Sequence, residues 1–282
     1  MIKMKQIGIG IWMLAMMTGT AFGQEDSALK KKGDDTLYIG KMIIIRKGES
    51  TPGAASRKSA EPRKKKPSRT STNWLTIDLG VNGFKDATLY NTSAIQNPVS
   101  GFAPGANEEW FDLQNGKSIN FNLWVFMQRT NIIRHVVNLQ YGLGVEYNNY
   151  RFSSPIVFTS NPTRVLYDVT TSYSKNKLAT NYLTIPLMVN FRFTPERKKN
   201  GFGFSAGIST GYLFNSRQKT ITGASGKNKS RDDFDLRPWK FAYIGELQLG
   251  PIKLYGSLAD RSMFEKGLDF TPYNVGFRIN SF

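Results

Sequence analysis

The chain has 282 residues, of which 38 are Lys or Arg and 21 are Asp or Glu, so its formal net charge is +17. It has no Cys and one His, which excludes disulfides, thiol catalysis and thiolate metal sites and argues against histidine-cluster metal centres. The length allows one large domain or two small ones, and the aromatic content of 13% excludes a wholly disordered chain.

Residues 1–23 are predicted to form an export signal. Two lysines in the first five residues precede an uncharged apolar run from Ile7 to Met17, and Ala21-Phe22-Gly23 places small residues before a cut at Gln24. This is the pattern of a secretory signal peptide, whereas a membrane anchor needs about 20 apolar residues. No Cys stands at the cut, so we expect an exported protein that is not a lipoprotein and starts near Gln24.

Residues 24–73 are predicted to be a basic tether in the periplasm, with 13 Lys and Arg against six Asp and Glu. One β-prone segment, residues 35–47, is too small to bury a core and predicts a single short strand. The following basic run has the composition of a disordered linker; its members are Arg57, Lys58, Arg63, Lys64, Lys65, Lys66 and Arg69. Its candidate partners are an anionic envelope polymer, lipid headgroups or a periplasmic protein. Nucleic acid is not expected outside the cytoplasm.

From Trp74 to Phe282 the apolar residues alternate with small or polar ones, which is the period of a β-strand. The pattern predicts eight strands near residues 74–81, 118–128, 136–148, 183–193, 202–214, 239–249, 252–258 and 273–279. Most are longer than the 5–6 residues that are usual in soluble sheets and match the 9–11 residues of a membrane-spanning strand. The sequence therefore predicts an all-β domain, an eight-stranded antiparallel up-and-down transmembrane β-barrel.

The two faces of these strands indicate which side meets lipid. One face is aliphatic and aromatic, while the other carries Asn, Gln, Glu, Arg, Ser and many glycines. Small and polar residues fit the crowded lumen of an eight-stranded barrel, whereas a soluble barrel would place the apolar face inside. In the second strand Met127 is predicted to face lipid, with Phe126 and Gln128 in the lumen. The connections alternate between long and short, as in outer-membrane barrels with long external loops.

Three stretches of the barrel domain carry a family likeness: YLTIPLMVNFRF at Tyr182–Phe193, FSAGISTGYLFNSRQK at Phe204–Lys219 and VGFRINSF at Val275–Phe282. With them the domain resembles the small outer-membrane β-barrel domain family, which includes the PorT-like proteins. The resemblance implies the barrel fold, the outer membrane of a Gram-negative cell, contact with its lipid, and the barrel assembly machinery as a partner during biogenesis. In such barrels the terminal Phe shares the lipid-facing parity of its strand. Here Phe282 is out of phase with Tyr273 to Ile279, which predicts a bulge near Asn280 or an end that leaves the strand.

Charged residues on the polar face are predicted to form a luminal network of hydrogen bonds and ion pairs, because buried charges need partners. The luminal network comprises Asp78, Gln140, Glu146, Arg192, Lys240, Glu246 and Arg278. We expect Glu246 to face Arg192 or another base, and the filled lumen to leave no open pore. Catalysis by these groups is the less favoured interpretation.

No cofactor, metal or catalytic site is predicted. The one His, His135, falls at the start of the third strand and is interpreted as an interfacial residue. Asp232, Asp233 and Asp235 lie in one loop, where a calcium site is the alternative to simple solvation. We expect an outer-membrane protein with a structural, binding or scaffold role. A component of a secretion or envelope-assembly complex is the alternative, and an outer-membrane enzyme the remote one.

Loop residues supply the candidate contacts with a binding partner. They are Phe102, Trp110, Phe111, Tyr167 and Tyr173.

Overall fold

The computed structural model describes residues 36–39, 42–45, 68–194 and 201–279 of the chain. The predicted export signal, the basic run from Arg57 to Lys66 and the terminal Phe282 lie outside the described residues. In the described part of the chain, no helix is long and apolar enough to cross a bilayer.

The chain divides into two units, Met1–Lys64 and Lys65–Phe282. In the first unit, strands β1 (Thr36–Ile39) and β2 (Met42–Ile45) pair antiparallel, with Thr36 opposite Ile45. The β-prone segment thus forms two short strands, where the sequence predicted a single one.

The second unit is built on a closed ring of eight antiparallel strands. In chain order the strands of this unit are β3 (Thr70–Asp86), β4 (Ile119–Ile133), β5 (Val137–Arg151), β6 (Ile156–Thr159), β7 (Arg164–Tyr167), β8 (Tyr173–Arg192), β9 (Phe202–Thr222), β10 (Gly226–Arg231), β11 (Trp239–Leu249), β12 (Ile252–Ala259) and β13 (Phe270–Ile279). The ring runs β3-β4-β5-β8-β9-β11-β12-β13 and closes by pairing β13 with β3. All eight predicted strands are confirmed, and the fold is an up-and-down β-barrel.

The predicted two-sided alternation is confirmed over most of the ring. In β3, Asp78 is fully buried in the lumen, while the next residue, Leu79, is 45% exposed on the outer surface. The same alternation continues through β8, where Ile185 and Leu187 are exposed and Met188 is buried. The barrel is therefore apolar outside and polar inside, the reverse of a soluble barrel.

Strand β4 departs from the prediction because it contains a β-bulge. Its pairing with β5 shifts register between Trp124 and Phe126, so Val125 is an extra residue. One extra residue moves every later side chain to the opposite face. Met127 is consequently buried in the lumen, while Phe126 and Gln128 are only half-buried on the outer face. The predicted faces of these three residues were wrong for this reason.

A luminal glycine lets two strands approach closely. Gly207 of β9 lies opposite Met188 of β8, and a Cβ atom at Gly207 would collide with the carbonyl oxygen of Leu187. Only a residue without a side chain fits this backbone contact. Gly207 is therefore required by strand packing as well as by the narrow lumen.

The long connections at one end of the barrel fold together into a compact layer, called here the cap. The cap consists of residues 87–118, 152–172, 223–238 and 260–269, and it contains helix α1 (Ser93–Gln96), a 3-10 turn (Glu108–Phe111) and the β6–β7 hairpin. Backbone hydrogen bonds join its segments, from the Val165 N–H to the Phe102 carbonyl (2.7 Å) and from the Arg237 N–H to the Met263 carbonyl (2.7 Å).

The cap encloses an apolar core over the mouth of the barrel. Its buried members include Phe102, Phe111, Phe152, Ile156, Phe158, Val165, Phe234, Leu236, Phe264 and Phe270. Phe264 packs its ring against those of Phe102, Phe158 and Phe270 at centroid distances of 5.7–6.1 Å. Aromatic side chains from different connections thus bury one another, which holds the long loops in one arrangement.

The cap corrects the predicted set of contact residues. Phe102 and Phe111 are 6% and 2% exposed, so they belong to the cap core and not to a contact surface. The rings of Trp110 and Tyr167 pack at a centroid distance of 4.9 Å with their planes inclined by 48°, and Tyr167 is 41% exposed. Tyr173 donates its hydroxyl to Asp168 at 2.7 Å. Hydrogen bonds from Thr170, Tyr173 and Thr171 hold the pKa of the Asp168 carboxyl well below its ordinary value, so this turn keeps its charged acceptor into the acid range.

Candidate functional site

The centre of the lumen is an ion-pair cluster around Arg278 of β13. Its Nε and Nη2 atoms donate to the two carboxylate oxygens of Asp78 at 2.6 and 2.7 Å, and its Nη1 donates to Glu246 of β11. Asp78 is fully buried, and the side chains of Arg278 and Glu246 are 6% and 10% exposed. One planar guanidinium therefore joins two buried carboxylates, one from the neighbouring strand β3 and one from β11, which is separated from β13 by β12.

The remaining lone pairs of Asp78 are also used. Asn122 Nδ2 and Trp124 Nε1 donate to Asp78 Oδ2 at 3.2 and 2.7 Å. Asn120 extends the chain of hydrogen bonds, because its Nδ2 donates to Asn122 at 2.9 Å and to Asn148 at 2.8 Å. The Arg278 guanidinium lies 5.4 Å from the Trp124 ring. The cluster is thus satisfied by hydrogen bonds and cation–π contact, as buried charges require.

A second ion pair lies nearer the cap. Lys240 of β11 donates to Glu146 of β5 across the lumen, and its ammonium lies 4.8 Å from the centre of the Tyr182 ring. Gln140 links toward the first cluster by donating to Glu246 at 3.0 Å. Six members of the luminal network are therefore in direct contact in two groups. The seventh, Arg192, is a buried residue on the luminal face of β8.

These contacts fill the lumen. The cavity beside Asp78, Glu146, Met188 and Arg278 has a volume of about 20 Å³, as does the one beside Arg129, Gln140 and Lys253. Each is large enough for about one water molecule and too small for a solute. The geometry is that of a barrel held shut by its own side chains, under a cap that covers one mouth.

Comparison with known proteins places the fold in a family. The family model described as "Outer membrane protein beta-barrel domain" matches residues 75–268. The chain belongs to this outer-membrane β-barrel family. The membership confirms the predicted family, fold and outer-membrane location, while a PorT-like subtype stays a prediction.

Solved structures and curated proteins add little to the family match. One similar solved structure is the crystal structure of Ail, the attachment invasion locus protein of Yersinia pestis, whose sequence is 11% identical to this chain. The alignment covers 74% of this chain and 98% of the Ail chain, with a TM-score of 0.30. The same protein in complex with the heparin analogue sucrose octasulfate is 10% identical over the same shares, with a TM-score of 0.28. No curated protein matches the chain.

The other candidate residues of this family member occupy structural positions. His135 lies in the tight turn between β4 and β5 with φ of +60°, and its backbone N–H donates to Asn131 Oδ1 at 2.6 Å. In the aspartate-rich loop, Asp232 accepts from the Asp233 N–H at 2.7 Å and Asp233 from the Asp235 N–H at 3.3 Å. A hydrogen bond from Ser160 lowers the pKa of Asp232. Among the described residues no group of three or more His, Asp or Glu side chains is arranged to hold a metal ion.

A wider cavity of about 420 Å³ lies beneath the first long connection, between β3, β13 and the 3-10 turn. Phe84, Asp86, Glu108, Asp112 and Tyr273 are among the residues that line it. The hydroxyl of Tyr90 donates to Asp86, and burial together with this bond raises the pKa of Tyr90. The cavity is a feature of the barrel rim that the sequence pattern did not predict, because it depends on how the connection folds back.

Proposed function

We propose that the chain is a non-conducting outer-membrane barrel that holds a rigid cap outside the cell as a binding platform, with the basic tether in the periplasm. The carrying observation is the cap core, in which side chains from all four long connections bury one another. Short turns face the periplasm and long loops face the exterior in barrels of this kind. Strand β3 begins and strand β13 ends at the short-turn end of the ring, which supports a periplasmic tether.

The filled lumen supports a function that does not involve transport through the barrel. Opening a path would require breaking the Arg278–Asp78 and Lys240–Glu146 pairs and displacing the cap. We therefore propose neither transport nor catalysis for these groups, and assign the luminal network to stability.

Conductance tests the closed lumen. The full chain, reconstituted in planar bilayers, is expected to give no stable open-channel current, because the luminal cavities hold about one water each. A general porin measured in the same membranes provides the positive control. Stable, reproducible channel openings by the folded protein would contradict the proposal.

Tyr167, which is 41% exposed, and the half-buried Trp110 beside it form the proposed contact surface of the cap. The second candidate function is a component of a secretion or envelope-assembly complex that is contacted through the tether. The high density of Lys and Arg in residues 57–69 favours this candidate.

Chemical crosslinking in cells followed by affinity capture separates the two functions. We expect Tyr167→Ala to lose crosslinked partners, because the substitution removes the exposed aromatic anchor of this pair. Deletion of residues 57–69 is expected to leave those partners in place. The reverse result would favour the tether-based function. Leu89→Ala, at a 71% exposed position of the cap, is the matched control.

A further inference from the structure

A row of cations crosses four strands just beyond the membrane-facing surface. Arg151 of β5 lies opposite Lys177 of β8, Lys177 opposite Lys219 of β9, and Lys219 opposite Lys229 of β10. One step nearer the barrel, Arg217 lies opposite Arg231. These six residues are called the cationic ladder. Lys175 and Lys227 extend it at its far end, on either side of Ile221.

The ladder lies on the outer face of these strands. The neighbouring residues Asn176, Leu178 and Gln218 are buried on the inner face, and side chains in a strand alternate between faces. The three β10 cations Lys227, Lys229 and Arg231 are exposed. The positive charges therefore point away from the barrel axis and not into the cap core.

Among the described residues the ladder makes no ion pair with an acidic side chain, although Asp232 follows Arg231 directly in the chain. Residues 173–181, 215–222 and 226–231 contain no Asp or Glu, and none of the four ion pairs in the described part of the chain involves the ladder. In the described part of the chain, the Arg151 guanidinium donates to the Ser174 carbonyl and the Lys177 ammonium to Asn149 Oδ1, both of which are neutral oxygens. The charge of Lys227, with smaller effects of burial, Arg217 and Arg231, lowers the pKa of Lys229.

Like charges placed directly opposite one another destabilise a pair of strands. The row contains three consecutive pairs of like charges and no carboxylate. An external anion bound to the row would reduce this repulsion and stabilise the strands. Arg and Lys clusters of this density suit phosphate groups, which accept several charge-assisted hydrogen bonds.

The height of the ladder identifies the kind of anion. On β9 the outward aromatic residues end with Tyr212 and Phe214, and Trp239 of β11 packs against Tyr212 at 5.1 Å. Aromatic residues of this kind mark the membrane–water interface. Arg217 follows Phe214 by three residues, about 10 Å of strand. The ladder thus begins at the level of lipid headgroups and faces the surrounding leaflet.

We propose that the cationic ladder binds the phosphate groups of a phosphorylated glycolipid in the outer leaflet. The proposal rests on the orientation given above, with the cap outside the cell. A soluble polyanion would be drawn to cations that point up from the cap, whereas these point sideways at headgroup height. The bound phosphates would neutralise the row and anchor the barrel in its leaflet.

Binding of the full chain to bisphosphorylated lipid A in nonionic detergent micelles tests the proposal. The row variant Lys177→Gln/Lys219→Gln/Lys229→Gln is expected to bind about 100-fold more weakly, from the usual contribution of each Lys near an anionic lipid surface. The control Lys117→Gln/Arg261→Gln/Lys266→Gln removes the same charge from exposed cap positions outside the ladder and should change binding less than twofold. A heat-dependent gel shift verifies that both variants are folded.

Further arms separate the outcomes. The wild type should bind lipid A without its two phosphates only weakly. Its affinity for this lipid should equal that of the row variant for intact lipid A. Equal loss of binding in both triple variants, or a wild type that binds soluble polyphosphate but does not distinguish the two lipids, would overturn the proposal. If the row variant does not fold, Lys227→Gln/Lys229→Gln in the exposed β10 replaces it, with an expected loss of at least tenfold.

The orientation is tested on its own. The chain has no Cys, so Ser225→Cys, at the exposed tip between β9 and β10, introduces the only thiol. Labelling of intact cells by a membrane-impermeant maleimide is expected. A Ser225→Cys protein that is not labelled but still binds lipid A would refute the orientation in the proposed function and, with it, the outer-leaflet assignment. A labelled variant without lipid binding would refute the ladder alone.

Discussion

Replacing Arg278 with Met is expected to lower the free energy of unfolding of the barrel by about 3–5 kcal/mol, the usual effect of removing one partner from a buried ion pair. The substitution leaves the carboxylates of Asp78 and Glu246 in the lumen without their shared cation. Met keeps most of the volume of the Arg stem, so the loss reports charge and not a cavity. Urea unfolding in micelles, followed by tryptophan fluorescence, measures the change.

Two further variants set the scale for this prediction. Arg261→Met breaks the surface pair with Asp260, in which Arg261 is 59% exposed, and should cost at most about 1 kcal/mol. Glu246→Leu should fall between the two, because Asp78 still holds Arg278 from the other side. An Arg278→Met protein as stable as the Arg261→Met control would show that the luminal network does not stabilise the barrel.

The sequence could predict the barrel strands because the alternation of apolar and polar residues can be read from each strand alone. Alternation of one residue in and one residue out is set by strand geometry, so Asp78 and Leu79 are assigned to opposite faces without knowledge of their neighbours. The same rule fails at Val125, since a single bulged residue reverses the faces of Phe126, Met127 and Gln128. Nothing in the composition of that segment marks the extra residue.

The partners within the lumen could be predicted only as a set. Parity places Glu246, Arg192 and Arg278 inside, but the choice between the two arginines depends on the stagger of non-neighbouring strands. The ring brings β13 beside β12 and β3, and Arg278 then reaches both Asp78 and Glu246. Register is a property of the closed barrel and is not encoded in any one strand.

The cationic ladder is visible in the sequence only as short, separate segments. Three short segments, Lys175-Asn176-Lys177, Arg217-Gln218-Lys219 and Lys227-Asn228-Lys229, alternate a basic with an amide residue. Each resembles an ordinary hydrophilic loop on its own. Only the continuation of β8 and β9 beyond their apolar sections, together with β10, aligns them into rows.

The cap was missed for a related reason. Its aromatic residues lie in connections without a regular period, so they were interpreted as exposed contact residues. The burial of Phe102 and Phe111 requires segments far apart in sequence to meet, as Phe102 and Phe264 do at 5.9 Å. Period-based analysis carries no information about such contacts.

Replacing Phe264 with Ala is expected to loosen the cap while the barrel stays closed. Phe264 is 1% exposed and packs on three other buried rings, so its truncation should cost about 3–5 kcal/mol, the usual range for a buried Phe. The loss falls on cap contacts, because the luminal ion pairs lie below this core and involve none of its residues. Faster hydrogen exchange and protease cleavage within residues 87–118 and 152–172 would measure the loosening, with the heat-dependent gel shift retained.

Leu89→Ala provides the comparison, since Leu89 is in the same layer but 71% exposed, and its exchange pattern should match that of the wild type. Two results would contradict the prediction in different ways. Unchanged exchange in Phe264→Ala would mean that the aromatic core does not hold the connections together. Loss of the gel shift along with cap protection would mean that cap and barrel unfold as one unit. Independent loosening, in contrast, would make the cap a separately stabilised layer, which is the physical requirement for a platform whose surface can change while the barrel below it stays closed.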